Sequence, residues 1–245
     1  MATESKSSRP ATLSLHPPPR FECLIFDMDD TLYPPSTGLM RACTNAIIDY
    51  IKERLHLDDN AAQNLNARLY KLYGSSLAGL VAGGYKCDFI EYNRYIHGSL
   101  PYKNLMRDDT LRKLLLSMPQ RKVVFTNGNK EHAHRTLEEL GIKDCFEQIV
   151  CFDNLNMKAN FGSSVPIICK PSTKAFHRAL QLLQADASKT LFFDDSPWNI
   201  EGAKAIGLWT CLTGSSKKMK GADYVIESIH DIREKIPNIW STNVE

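Results

Sequence analysis

The chain has 245 residues, 43% of them hydrophobic and 24% charged, proportions that exclude a disordered or fibrous protein and fit a globular one. A formal net charge of +2 gives no strong field, which argues against nucleic acid or a membrane surface as the main partner. No apolar run nears the roughly 18 residues of a membrane span, and the seven cysteines (Cys23, Cys43, Cys87, Cys145, Cys151, Cys169 and Cys211) contain no C-x-x-C pair. They are expected to be reduced thiols in a cytoplasmic protein, not a zinc site.

Residues 1–19 are rich in Ser, Thr and Pro and are expected to form a disordered tail. A transit peptide is the alternative, weakened by Glu4 and by Pro17, Pro18 and Pro19. The first strand is expected at FECLIF (21–26). Nearly a hundred residues then separate it from the next β-rich run, RKVVFT (121–126), where a parallel crossover needs only a dozen or more. Residues 38–105 therefore read as an inserted helical unit, with helical stretches LMRACTNAIIDYIKERL, NAAQNLNARLYKLYG and FIEYNRYIHG. Further strands are expected at EQIVCF (147–152), KTLFFD (189–194) and GLWTCL (207–212), with a last strand-like run at DYVI (223–226). Helical spacing fills the gaps at 129–140, 172–185, 195–207 and 228–236. Continuous apolar strands alternating with helices specify an α/β, doubly wound, Rossmann-like and mostly parallel sheet. Its core would comprise residues 20–37 and 106–240, with the helical insert following the first strand.

Four short motifs sit where strands end or helices begin. Asp27-Met28-Asp29-Asp30-Thr31 follows the first strand, and a cluster of like charges there asks for a hard cation, Mg²⁺ first. Thr126-Asn127-Gly128 ends the second strand and offers a hydroxyl, an amide and an unhindered backbone N–H to phosphate oxygens. Lys170-Pro171-Ser172 precedes a helix and supplies a fixed cation. Asp194-Asp195-Ser196-Pro197 ends the most apolar strand, and Ser196 is the expected helix cap. In open α/β sheets ligands bind beyond the carboxyl ends of the strands. The set provides a nucleophile, metal ligands, phosphate donors and a cation, the requirements of phosphoryl transfer.

This ordered set resembles the haloacid dehalogenase superfamily of Asp-nucleophile phosphatases. The resemblance implies that Asp27 attacks phosphorus and that Asp29 protonates the leaving oxygen and then activates water. It implies that Asp27, the Asp29 carbonyl and Asp195 hold Mg²⁺, with Asp194 an additional or supporting ligand and Asn199 where a trailing acid often stands. Thr126 would bind phosphate, and Lys170 would bridge phosphate and nucleophile. For Asp29 to act as an acid, a neighbouring carboxylate and partial burial are expected to raise its pKa. The runs FDMDDTLYP, LYKLYGSSLAGL, HGSLPY and FFDDSPWNI look like the plant and fungal pyrimidine 5′-nucleotidase-like branch, and like related plant phosphatases acting on xanthosine monophosphate. The substrate expected is thus a small phosphate ester, a nucleoside 5′-monophosphate, handled by a monomer or small homo-oligomer.

Specificity is expected in the insert, whose candidates are Arg41, Lys71, Tyr73, Tyr85, Tyr92, Arg94, Tyr95 and His97, with Arg41 and Tyr73 foremost. Other readings are a phosphatase for another phosphometabolite such as a sugar phosphate, a phospho-receiver signalling module, dehalogenase chemistry without magnesium, and a non-catalytic binding protein. A receiver places its acid pair after the first strand and its phosphorylated Asp later, the reverse of the order here.

Overall fold

A computed structural model describes residues 21–156 and 166–240. The expected tail, 1–19, lies outside the described residues. Among the described residues six strands form one sheet: β1 (Cys23–Phe26), β2 (Arg121–Phe125), β3 (Gln148–Val150), β4 (Thr190–Asp194), β5 (Trp209–Thr213) and β6 (Tyr224–Ile226). Every pairing is parallel and the order is β3-β2-β1-β4-β5-β6. This is a doubly wound sheet whose strand order reverses beside β1, so the crevice for ligands opens between the carboxyl ends of β1 and β4.

The strands are apolar because both faces are covered. Side chains alternate across the sheet: Leu24 and Phe26 of β1 join one hydrophobic cluster, while Cys23 and Ile25 join the other. Phe26 stacks on Phe193 of the neighbouring strand at 4.5 Å between centroids. Each of these fully buried phenylalanines contributes about 1.5–3 kcal/mol.

Between β1 and β2 lie helices α1 (Leu39–Leu55), α2 (Asp59–Tyr73), α3 (Ser76–Ala82) and α4 (Phe89–Gly98), then α5 (Asp109–Ser117) leading into β2. Acids start three of them. The side chain of Asp58 accepts from Ala61 N–H, that of Asp88 from Ile90 and Glu91 N–H, and that of Asp108 from Leu111 N–H. The two chain crossings between insert and core are tied together, since Asn104 Nδ2 donates to the Thr37 carbonyl at 3.0 Å. Helix α3 was not foreseen from the sequence. It is short and buried nearly all round, so it lacks the amphipathic stripe that marked its neighbours.

After β2 come α6 (Lys130–Glu139), α7 (Phe152–Leu155), α8 (Thr173–Leu183), α9 (Pro197–Lys204) and α10 (Ile232–Lys235). Ser172 and Ser196 stand at the N-caps of α8 and α9, but neither side chain makes a capping hydrogen bond. Among the described residues no helix is long and apolar enough to cross a membrane.

Candidate active site

Asp27 is the first residue beyond β1, and its N–H donates to the Phe193 carbonyl at 2.8 Å, extending the ladder between β1 and β4 by one rung. Its carboxylate therefore emerges beside Asp194, the last residue of β4. Between them sits Lys170, whose Nζ donates to Asp27 Oδ1 at 2.5 Å and to Asp194 Oδ2 at 2.8 Å. Lys170 is 1% exposed, and Phe125 and Phe192 flank its Nζ at 5.2 and 5.4 Å. Burial opposes the charge, but Asp194 and Asp27 outweigh it and hold the lysine pKa well above its ordinary value.

The loop carrying Lys170 is pinned from three sides. The Asn127 side chain makes a reciprocal pair with its backbone: Nδ2 donates to the Lys170 carbonyl at 3.0 Å, and Lys170 N–H donates to Oδ1 at 2.9 Å. Two glycines complete the clamp. A Cβ at Gly74, where φ is +74°, would lie 2.2 Å from the Lys170 carbonyl oxygen, and one at Gly202 would lie 2.2 Å from that of Pro171. Only a residue without a side chain lets the end of α2 and the middle of α9 approach so closely.

Asp194 is fully buried and accepts four hydrogen bonds: from Lys170, from Ser196 N–H at 2.8 Å, and from Asn199 Nδ2 to both oxygens at 2.9 and 3.0 Å. Asn199 thus acts as an anchor for that carboxylate. Carboxylate oxygens of Asp27, Asp194 and Asp195 can lie within 4.8 Å of one another. Three acids against one lysine leave an excess of negative charge on hard oxygen donors, which suits a divalent cation such as Mg²⁺. Burial, then the nearby Asp194, pushes Asp195 up to about 7, and burial pushes Asp27 well above the carboxylate range despite Lys170.

Asp29 faces the same cavity from the turn after β1. Asp30, in the left-handed region at φ +56°, and the Leu32 N–H, bonded to the Met28 carbonyl at 2.9 Å, form that turn. Asp29 Oδ1 accepts from the Tyr33 hydroxyl at 2.6 Å and lies 2.9 Å from His132 Nε2. The expectation of a raised Asp29 pKa is corrected here. Burial does push it up, but His132 and the Tyr33 hydrogen bond outweigh burial and bring it below the ordinary value. Sequence reading missed both partners. Tyr33 reaches Asp29 only because the turn folds back over four residues, and His132 lies in the buried stripe of α6, where spacing reads simply as core.

Thr126, Asn127 and Gly128 all line the cavity. In the structure Gly128 N–H donates to Thr126 Oγ1 at 2.9 Å, and the Asn127 side chain is committed to the Lys170 loop. A Cβ at Gly128 would lie 2.8 Å from the His132 ring, so glycine at that position makes room for the histidine.

The cavity holds about 420 Å³ and runs from these groups up to the insert. From the insert it takes Met40, Thr44 and Ile47 of α1, Tyr70 of α2, and Tyr92, Asn93, Ile96 and His97 of α4. Arg41, Lys71, Tyr73, Tyr85, Arg94 and Tyr95 do not line it. Arg41 folds back over the start of its own helix, its Nη2 3.3 Å from where a Gly38 Cβ would stand. The Tyr73 ring lies against Gly79 of α3. Tyr70, one turn earlier, takes the place expected of Tyr73; burial, then the charges of Asp195, Asp194 and Asp27, raises its hydroxyl to about 12.

Comparison with known proteins agrees with this geometry. A family model described as haloacid dehalogenase-like hydrolase matches residues 21–207. Phosphate metabolism protein 8 of Saccharomyces cerevisiae is 32% identical over 202 residues, which cover 78% of this chain and 61% of the yeast protein, so the chain spans less than two thirds of that relative's length. A glyceraldehyde 3-phosphate phosphatase of Pyrococcus furiosus is 26% identical over 88% of this chain and 92% of its own. Among solved structures, the HAD-hydrolase YfnB from Bacillus subtilis, bound to magnesium, superposes with a TM-score of 0.55 at 20% identity, covering 88% of this chain and 98% of that one. The chain belongs to the haloacid dehalogenase-like hydrolase family.

Proposed function

We propose that the chain is a magnesium-dependent phosphomonoesterase that hydrolyses nucleoside 5′-monophosphates to nucleoside and phosphate. The observation that carries this reading is the Asp27 carboxylate, held by buried Lys170 beside Asp194 and Asp195, with a second carboxylate, Asp29, facing the same cavity. An Asp27 oxygen attacks phosphorus and the bond to the leaving oxygen breaks, that oxygen taking a proton from Asp29; because His132 and Tyr33 hold Asp29 ionised in the free site, this step requires Asp29 to take up a proton on its free Oδ2 when the phosphate ester binds. Asp29 then removes a proton from water, which attacks the aspartyl phosphate, releases inorganic phosphate and restores Asp27. Lys170 stays charged throughout and neutralises the developing negative charge. Asp27, Asp195 and the Asp29 carbonyl would hold Mg²⁺, with Asp194 fixed behind them by its four hydrogen bonds. When bound, Mg²⁺ supplies positive charge against the phosphoryl oxygens. Thr126 and the backbone N–H groups of its loop bind those oxygens.

The nucleoside reading is supported by the upper half of the cavity. Its Tyr70, Tyr92 and Phe152 rings suit a planar base, and Thr44, Asn93 and His97 offer neutral hydrogen-bonding groups. Stacking of this kind is worth about 1–3 kcal/mol per base. Unpaired thiols at all seven cysteines favour a reducing compartment, and we place the enzyme in the cytoplasm. A second reading, a phosphatase for a small phosphorylated sugar, draws support from the name of the archaeal relative. Phosphate release measured over UMP, CMP, AMP, GMP, IMP and XMP beside glyceraldehyde 3-phosphate and other sugar phosphates separates the two. A nucleotide should show the highest kcat/KM. A preference for a sugar phosphate would transfer the enzyme to the second reading, and equal low rates on all would sink both.

A further inference from the structure

Asp29 is held by more than the chemistry of a free acid requires. Tyr33 and His132 both reach its Oδ1, and His132 is itself fixed on three further sides. Its Nδ1 is hydrogen-bonded to the Tyr102 hydroxyl at 2.8 Å, so one neutral tautomer, with Nε2–H donating to Asp29 and Nδ1 accepting from Tyr102, satisfies both contacts. Its backbone N–H donates to Asn129 Oδ1, the N-cap that starts α6. On one face, the ring of His97 from α4 stacks nearly parallel, centroids 4.6 Å apart and planes 11° from each other. His97 also interacts with Asn129. The 2%-exposed His132 is thus gripped between core and insert.

We propose that His132 and Tyr33 are positioning residues that aim Asp29 at the leaving oxygen, and that His97 makes this aim depend on docking of the helical insert. The inference rests on the acid–base role of Asp29 proposed above. A carboxyl group swung away by an ångström loses much of its value as a proton donor, an effect of up to about 100-fold. An insert that seats the His97 ring on His132 only when closed would align the acid only when the substrate is enclosed.

The test compares kcat/KM on two esters, because that ratio reports the first step, transfer to Asp27. An alkyl ester such as a nucleoside 5′-monophosphate needs a proton on its leaving oxygen, whereas p-nitrophenyl phosphate expels a stable phenolate without one. Asp29→Asn is the reference: its loss should fall at least about ten-fold more heavily on the alkyl ester. His132→Ala should show the same selective loss, His132→Gln should recover part of it, since its amide can donate from the place of Nε2, and His97→Ala should show a weaker form. Tyr33→Phe removes one oxygen and leaves the ring to pack, so it keeps the test open if the histidine variants misfold. If Asp29→Asn is not selective, the acid–base reading itself fails. If Asp29→Asn is selective but the His132 and Tyr33 variants lose both esters equally or lose neither, the positioning role is overturned. If only His97→Ala lacks the selectivity, the dependence on the insert is overturned.

Discussion

The lysine–carboxylate end of the core and the roof of the cavity are built on opposite plans. At the carboxyl ends of β1 and β4 the central charged side chains are buried, paired and backed by a second contact: Lys170 by two carboxylates, Asp194 by four hydrogen bonds, and the Lys170 loop by Asn127 and two glycines. The roof contributed by α1, α2 and α4 is mostly apolar and aromatic, with a few neutral polar groups. A site that stabilises developing charge must be preorganised, because any reorganisation during the reaction adds to the barrier. A surface that only has to accept one leaving group over another can be packed from ordinary core residues, and small changes there retune it.

Substitutions that break the contrast should rank accordingly. Asp27→Asn keeps the shape and removes the proposed nucleophile, so phosphate release should fall by about 10⁴-fold or more while circular dichroism stays native. Chelation by EDTA should abolish turnover and added Mg²⁺ should restore it; EDTA-resistant turnover would favour a dehalogenase-like, metal-free chemistry. Lys170→Met leaves Asp27 and Asp194 facing each other without a cation, and in metal-free buffer it should cost about 3–5 kcal/mol in denaturant unfolding as well as activity. Gly74→Ala forces a Cβ into the Lys170 carbonyl at a positive φ, so it should cost at least about 1 kcal/mol and lower kcat, although residue 74 carries no chemistry. The smallest effects belong to the roof. Tyr70→Ala should raise KM for a nucleotide about ten-fold with little change in kcat, as loss of one stacking contact predicts. Tyr85→Ala, outside the cavity, should stay within about two-fold.

Legibility in the sequence followed the same division. Strand ends are fixed by hydrophobic runs, and an acid directly after such a run has one place to go, so the positions of Asp27, Asp194 and Asp195 are legible in the sequence alone. Lys170 could be placed only through its company, because a lysine ahead of a helix is ordinary surface until a carboxylate pair is known to lie opposite. The insert was legible as three helices but not as a pocket wall. Tyr70 and Tyr73 are three residues apart, and periodicity cannot tell which ring faces inward. That was decided by the approach of Gly74 to Lys170 and by α3, an element without an amphipathic signature. The partners of Asp29 were hidden for a different reason. His132 is separated from it by 103 residues and joined to it by topology alone.

The most direct test of the central claim is to trap the phosphoryl group. Asp29→Asn protein, incubated with Mg²⁺ and p-nitrophenyl phosphate, whose leaving group needs no proton, then quenched in acid and reduced with borohydride, should yield homoserine at position 27, the product expected from an aspartyl phosphate. Absence of homoserine from that position, or its appearance at another aspartate, would contradict Asp27 as the nucleophile.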